Sequence, residues 1–221
     1  MKKSILFLVM LLTIPFLAKA QEINWRNLDS ASRHIVAVRI GADFGTVYGI
    51  SYGYQLPFIK HPVLLGADFT VPFGKKFMDD YKATVSVQSE IWHSNSFSFA
   101  IKPGMSMRRY HSAAASLYNV GAEITTTFGY YKTNWGVAVE ANYDRSCATY
   151  IEHKNLKDDY PGILDGWYGS TGGNFKFGIK GNYWMKTTGV ALKAGKIYGE
   201  DFINNPTLPY YTELSLLKRF Q

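Results

Sequence analysis

The chain has 221 residues, 47% hydrophobic, 16% aromatic and 19% charged, with 20 glycines and one cysteine. This excludes a disordered chain, an intramolecular disulfide and a multi-cysteine zinc site, and argues for one domain. The formal charge is +7, but three of the 24 bases, Lys2, Lys3 and Lys19, lie in the first 20 residues; 21 bases against 17 acids leave +4, too little to point to nucleic acid.

Residues 1–20 join a basic start (Lys2, Lys3), an apolar stretch from Ile5 to Leu17 and an Ala18-Lys19-Ala20 cleavage pattern before Gln21. This is the three-part design of a secretory signal peptide, expected to be cleaved. The apolar stretch is shorter than a spanning helix needs, and Pro15 interrupts it. Beyond residue 20 no apolar run approaches spanning length, so an exported chain of this kind is either soluble or a barrel whose strands each carry a weak hydropathy signal.

The rest of the chain alternates with period 2, the pattern of strands between two environments. Residues 34–44 set Val36, Val38, Ile40, Ala42 and Phe44 against Ala37, Arg39, Gly41 and Asp43. Residues 46–56 set Tyr48, Ile50, Tyr52 and Tyr54 against Val47, Gly49, Ser51 and Gly53. A three-residue turn at Phe44-Gly45-Thr46 would place Asp43 opposite Val47 and Ile40 opposite Ile50, with every pair agreeing in face. The pattern continues through 62–71, 83–92, 97–109, 117–129, 135–145, 167–180, 187–197 and 208–220. Ten strands is the expected count and eight the alternative; Pro103 is the residue that could split the fifth segment. Connections at 72–82, 110–116, 146–166 and 198–207 are long or polar, while those near 57–61, 93–96, 130–134 and 181–186 are short. Membrane barrels place long loops outside and short turns in the periplasm.

The two faces differ in charge. The apolar face holds only Arg109, Lys196 and Lys218, each near a strand end, where a lipid-facing charge costs little. The other face holds seven acids (Asp43, Asp68, Glu90, Glu123, Glu140, Asp144, Glu213) and seven bases (Arg39, Lys102, Arg108, Lys176, Lys180, Lys193, Arg219). Ions held away from bulk water must be paired, so this balance predicts a charge network inside a closed barrel. Aromatic residues gather at strand ends: Tyr54, Phe58, Trp92, Tyr130, Tyr131, Trp135, Tyr183 and Trp184 toward one rim, and Tyr110, Tyr143, Trp167, Tyr168, Tyr198, Tyr210 and Tyr211 toward the other. Two such girdles suit the headgroup layers of a bilayer.

The chain ends Leu214-Ser215-Leu216-Leu217-Lys218-Arg219-Phe220-Gln221. With that tail it resembles small outer-membrane β-barrel proteins of Gram-negative bacteria. The resemblance implies an all-β, closed antiparallel transmembrane β-barrel in the cell outer membrane, with a C-terminal strand read by the barrel-assembly machinery. Residues 21–33 are then a short periplasmic lead-in and 34–221 the barrel, expected as a monomer.

Ten strands enclose little more than their own side chains, so fourteen inward charges favour a plugged interior and a role in envelope support or surface interaction through the outer loops. Lys75, Lys76, Arg109, Lys154 and Lys157 sit on or beside those loops, where they are expected to contact lipopolysaccharide phosphates. An enzyme acting on lipid A or peptides at the outer rim is an alternative, with His111 and Ser112, His153 with Asp158 and Asp159, and the Asp79-Asp80 pair as its candidates. A narrow gated transporter of small solutes is the other. No cofactor, metal or nucleotide motif is found.

Overall fold

The computed structural model describes residues 23–28, 32–57, 62–74, 78–203 and 206–221. The leader, Phe58, Lys75 and Lys76 lie outside the described residues. Eleven strands follow in order: β1 (His34–Ala42), β2 (Thr46–Gln55), β3 (Val63–Pro72), β4 (Tyr81–Ser94), β5 (Phe97–His111), β6 (Ala115–Tyr131), β7 (Trp135–His153), β8 (Gly166–Tyr168), β9 (Gly173–Met185), β10 (Thr188–Gly199) and β11 (Tyr210–Phe220). Neighbours pair antiparallel from β2 through β7, then β9, β10 and β11, and β11 returns to β1 from His34↔Phe220 to Ala42↔Thr212. The β1–β2 seam is joined at both ends, where Gln55 N–H donates to the Arg33 carbonyl and Asp43 N–H to the Gly45 carbonyl. Ten strands thus close on themselves, and no sheet edge is left along the wall.

The alternation located these strands well, with three corrections. Residues 167–180 are not one strand: Trp167 belongs to β8, a three-residue strip on β7, while β9 runs from Gly173 through the expected turn at 181–186. The turn is instead Lys186-Thr187, with Lys186 at φ 56°. Next, β7 extends to His153, so the longest loop shrinks to 154–165 and carries one short helix, α1 (Leu156–Asp159). Finally, the two bonds of the β1–β2 seam share a register two residues tighter than the expected turn gives. An even shift leaves every side chain on its expected face. Pro103 does not break β5: its ring points outward, and the register of Ser86↔Gly104 continues unchanged to Ser89↔Ile101.

Burial separates the two faces. Val85, Met105, Ile179 and Leu216 are at least 60% exposed on the outside, while Asp68, Thr84, Gln88, Asn119, Asp144, Lys180 and Ser215 are buried inside. The wall is therefore apolar outward and polar inward, the reverse of a soluble protein. A bulge between Glu90 and Trp92 turns Ile91 and Trp92 both outward at the short-turn end, adding an indole to that rim.

The girdles are thinner than the sequence suggested, because several end aromatics point in. Tyr54, Trp92, Tyr130, Trp135 and Tyr183 do lie outward at the short-turn end. Tyr143, Trp167, Tyr198 and Tyr210 do so at the long-loop end, joined by Tyr81, Tyr118 and Tyr150. By contrast Tyr131 and Trp184 are 1% exposed in the core, and Tyr110, Tyr168 and Tyr211 share the inner face.

These inward rings lie flat on glycine backbones: a Cβ at Gly136 would meet the Tyr131 ring at 2.3 Å, and one at Gly189 the Trp184 ring at 2.8 Å. Side-chain-free backbone opposite each ring is what lets so small a bore hold it.

Residues 23–28 complete the short-turn end from inside. Ile23, Asn24 and Trp25 are 2%, 0% and 5% exposed, and Ile23 and Trp25 pack with Ile35, Leu64, Tyr131, Trp184 and Leu217 in one apolar cluster. Asn24 caps a 3₁₀ turn at Trp25–Asn27 through the Arg26 N–H and donates from Nδ2 to the Lys132 carbonyl at 2.7 Å.

Candidate functional site: the barrel interior

Above the apolar cluster the lumen is filled by ion pairs, and alternation explains why they face it: each charged residue lies an even number of positions from its inward neighbours along its strand. Arg39 on β1 reaches Asp68 on β3 at 3.1 Å and Glu213 on β11 at 3.7 Å. Lys102 approaches Asp68 at 3.8 Å from β5. Lys193 meets Glu213 at 3.4 Å, Lys180 meets Glu140 at 3.5 Å, and Arg108 meets Asp144 at 3.1 Å. Lys176 holds Asp43 at the β1–β2 turn. Glu90 sits lower, between Arg26 at 3.2 Å, His93 at 3.4 Å and the Ser98 hydroxyl.

All fourteen residues expected to form the network thus face the lumen. Thirteen pair with oppositely charged groups among the described residues. The fourteenth, Arg219, is 2% exposed; it stacks 3.8 Å over the Trp184 ring and donates to both the carbonyl and the side-chain oxygen of Asn27.

Two further cations belong to the interior. Lys82 bridges to Glu123 at 2.8 Å, and Arg26 comes from the segment ahead of the barrel. The expected balance of seven against seven is therefore nine bases to seven acids among the described residues. Lys82 escaped because β4 begins two residues earlier than its alternation signalled; Arg26 escaped because no periodicity marks a segment that enters the barrel from outside the strands.

A cavity of about 120 Å³ remains among these charges, lined by Arg39, Lys102, Lys193, Asp68, Glu140 and others. Beyond it, a wider vestibule of about 600 Å³ opens at the long-loop end between Arg108, Tyr110, Asn119, Thr149, Asn174 and Glu200.

The loop residues considered for catalysis have other partners. His111 Nδ1 lies 2.8 Å from the Ser116 hydroxyl rather than on Ser112, and Ser116 is 1% exposed. Asp80 accepts the His111 backbone N–H at 2.7 Å, which spends it on the loop. His153 pairs with Asp165 at 3.2 Å, not with Asp158 or Asp159. Among the described residues no three His, Cys, Asp or Glu side chains gather as a metal site would need.

Of the lysines expected at lipopolysaccharide, Lys154 rests 3.3 Å from the His111 ring and Lys157 bonds Asp165 at 2.6 Å, so both serve the loop itself. Arg109 projects from the outer face of β5.

The Asp165 cluster gives the outer loop a pH dependence. Hydrogen bonds from Lys157 and from the His153 backbone hold the Asp165 carboxyl below its ordinary 3.8. A lowered carboxyl stabilises the folded loop above the unfolded value and loses that contribution as pH falls through the lowered one. Protease cutting in 154–165 is expected to rise on acidification toward pH 3, and Asp165→Asn should cut equally fast at pH 7; an Asn variant as resistant as the parent at neutral pH would refute the tie.

The chain folds as a closed ten-stranded antiparallel β-barrel with an apolar outer wall. Among solved structures the chain is similar to the KdgM porin, with 11% identity and a TM-score of 0.39 over 84% of this chain and 98% of that one. The KdgM porin in complex with disordered oligogalacturonate gives 9% and 0.38 over the same shares. No family model and no curated protein matches. The fold assignment stands on the strand pairing and burial described above.

Proposed function

We propose that the chain is exported by a cleaved leader and inserted in the outer membrane of a Gram-negative cell as a non-conducting barrel. Its short turns face the periplasm, and its loops meet the surroundings in envelope support or surface interaction. The C-terminal strand β11, which closes the barrel on β1, is the segment the assembly machinery would read. The observation carrying this reading is the inversion of the wall: exposed Val85 and Ile179 on the outside cover the paired charges of Asp68, Lys180 and Asp144 within. Water would leave the outer face uncompensated, whereas hydrocarbon covers it without loss.

Expression in a Gram-negative host tests it. The membrane fraction should give a band whose migration shifts on heating, and protease added to intact cells should cut only the loops at the β7–β8 end, around 154–165. A soluble periplasmic product, or cutting at 132–134 in intact cells, would overturn the placement.

A narrow transporter for small anions is the second reading. It is favoured by the cation excess in the lining of the cavity, where Arg39, Lys82, Lys102, Lys176, Lys180 and Lys193 face Asp43, Asp68, Glu123, Glu140 and Glu213.

A further inference from the structure

The outward surface of β3–β6 carries a cation and an apolar groove in one column. At the long-loop end Arg109 is flanked on both neighbouring strands by aromatics, in the row Tyr81↔Arg109↔Tyr118, with its guanidinium 5.5 Å from the Tyr118 ring centre. Its Nη1 donates to the Met78 carbonyl at 3.0 Å, while its Nε is buried with no hydrogen-bond partner. The next row toward the membrane centre is Ala83↔Met107↔Val120, about 7 Å along the strands. There the surface sinks into a groove of about 770 Å³ lined by Ala67, Phe69, Ala83, Met105, Met107 and Val120, which extends to Val36 on β1 and to Ile50 and Tyr52 on β2.

At headgroup height a guanidinium on the outer wall costs little, and the anion it would meet there is a lipid headgroup. Small side chains beneath it leave room for hydrocarbon where a flat wall would not. We infer that this column is a binding site for one phosphorylated acyl lipid, its phosphate on Arg109 between Tyr81 and Tyr118 and one acyl chain in the Ala67–Ala83 groove. The inference rests on the membrane placement proposed above. Of the expected lipopolysaccharide contacts it uses Arg109, and it adds the chain-binding part that a charge alone lacks.

Native mass spectrometry of the full barrel in neutral detergent tests it, with dimyristoyl phosphatidate and dimyristoylglycerol as probes. The parent protein should retain one phosphatidate, and Arg109→Ala should weaken that adduct about tenfold or more, the effect of one charge-assisted contact. Arg109→Lys should recover part of it, Ala83→Phe should remove adducts of both probes, and Lys196→Ala, on the far side of the barrel, should change neither.

Undiminished phosphatidate on Arg109→Ala would sink the site, as would displacement by excess inorganic phosphate, which marks an ion site without a chain. Loss of a dimer on Ala83→Phe would make the groove a seam between copies and would overturn it equally. Heat-shifted migration of each variant reports the barrel separately, and Ala67→Phe replaces Ala83→Phe if the latter fails to fold. A parent protein without that shift would mean the placement failed, not the lipid site.

Discussion

Deleting residues 23–28 is expected to give conductance steps in planar bilayers where the full mature chain gives none. The segment is the only described part of the chain that fills the short-turn mouth from outside the wall: Ile23, Asn24 and Trp25 are buried there, Arg26 ties to Glu90, and Asn27 receives Arg219. Removing it takes away a tryptophan and an isoleucine from the apolar cluster, a loss of the order of 3–5 kcal/mol for the indole alone. It also frees Glu90 and Arg219 to recruit water, so the remaining lumen would hydrate from the short-turn end up to the cavity among the ion pairs.

The deleted barrel should still migrate faster unheated, at a lower melting temperature. A folded but silent deletion would move closure to the ion pairs and deny the segment its gating role. Selectivity of any steps adds a second readout: with Arg26 gone, eight interior bases still face seven acids, so anions should pass more readily than cations.

The second large effect is expected from the charge pair at the top of the network. Asp144→Leu should lower the unfolding free energy by about 3 kcal/mol or more, because Arg108 is then left buried against the wall without its acid. Asp144 is 3% exposed and stands 3.1 Å from Arg108, whose other surroundings are Tyr110 and the polar vestibule. The double variant Arg108→Met with Asp144→Leu should return to within about 1 kcal/mol of the parent, since an apolar pair of similar volume avoids the desolvation of both ions. Urea unfolding in vesicles measures both. If the single variant costs as little as the double, the lumen is wet enough to screen the pair, and the interior is a channel lining rather than a filled core.

These two experiments address different closures. The N-terminal segment packs the short-turn end of the lumen with apolar side chains, whereas the ion pairs line the lumen above it. A barrel this narrow can use both because each inward row alternates with an outward one; no residue is asked to face lipid and lumen together.

Much of this was legible in the amino-acid order. Period-2 alternation located eight of the ten wall strands to within two residues and put the fourteen charges on the inner face, since facing is decided locally by the pleat. The failures were local as well. Trp167 was joined to Phe175 across Thr171-Gly172-Gly173, where Gly172 at φ 103° breaks the strand and lets β8 fold back on β7. Tyr131 and Trp184 looked like girdle residues because aromatics at strand ends usually are; the glycines opposite them, Gly136 and Gly189, were the signal that could have placed them inward.

By itself the sequence determined which side of each strand faces outward and which meets the lumen, for that choice depends on neighbours two residues away. Only the tertiary structure decided which acid meets which base. Arg39 and Asp68 are 29 positions apart and Lys176 and Asp43 are 133, distances bridged by the tilt and stagger of a closed wall that no local pattern encodes. The entry of residues 23–28 was likewise decided in three dimensions, because a segment without periodicity finds its place only once the mouth it fills exists.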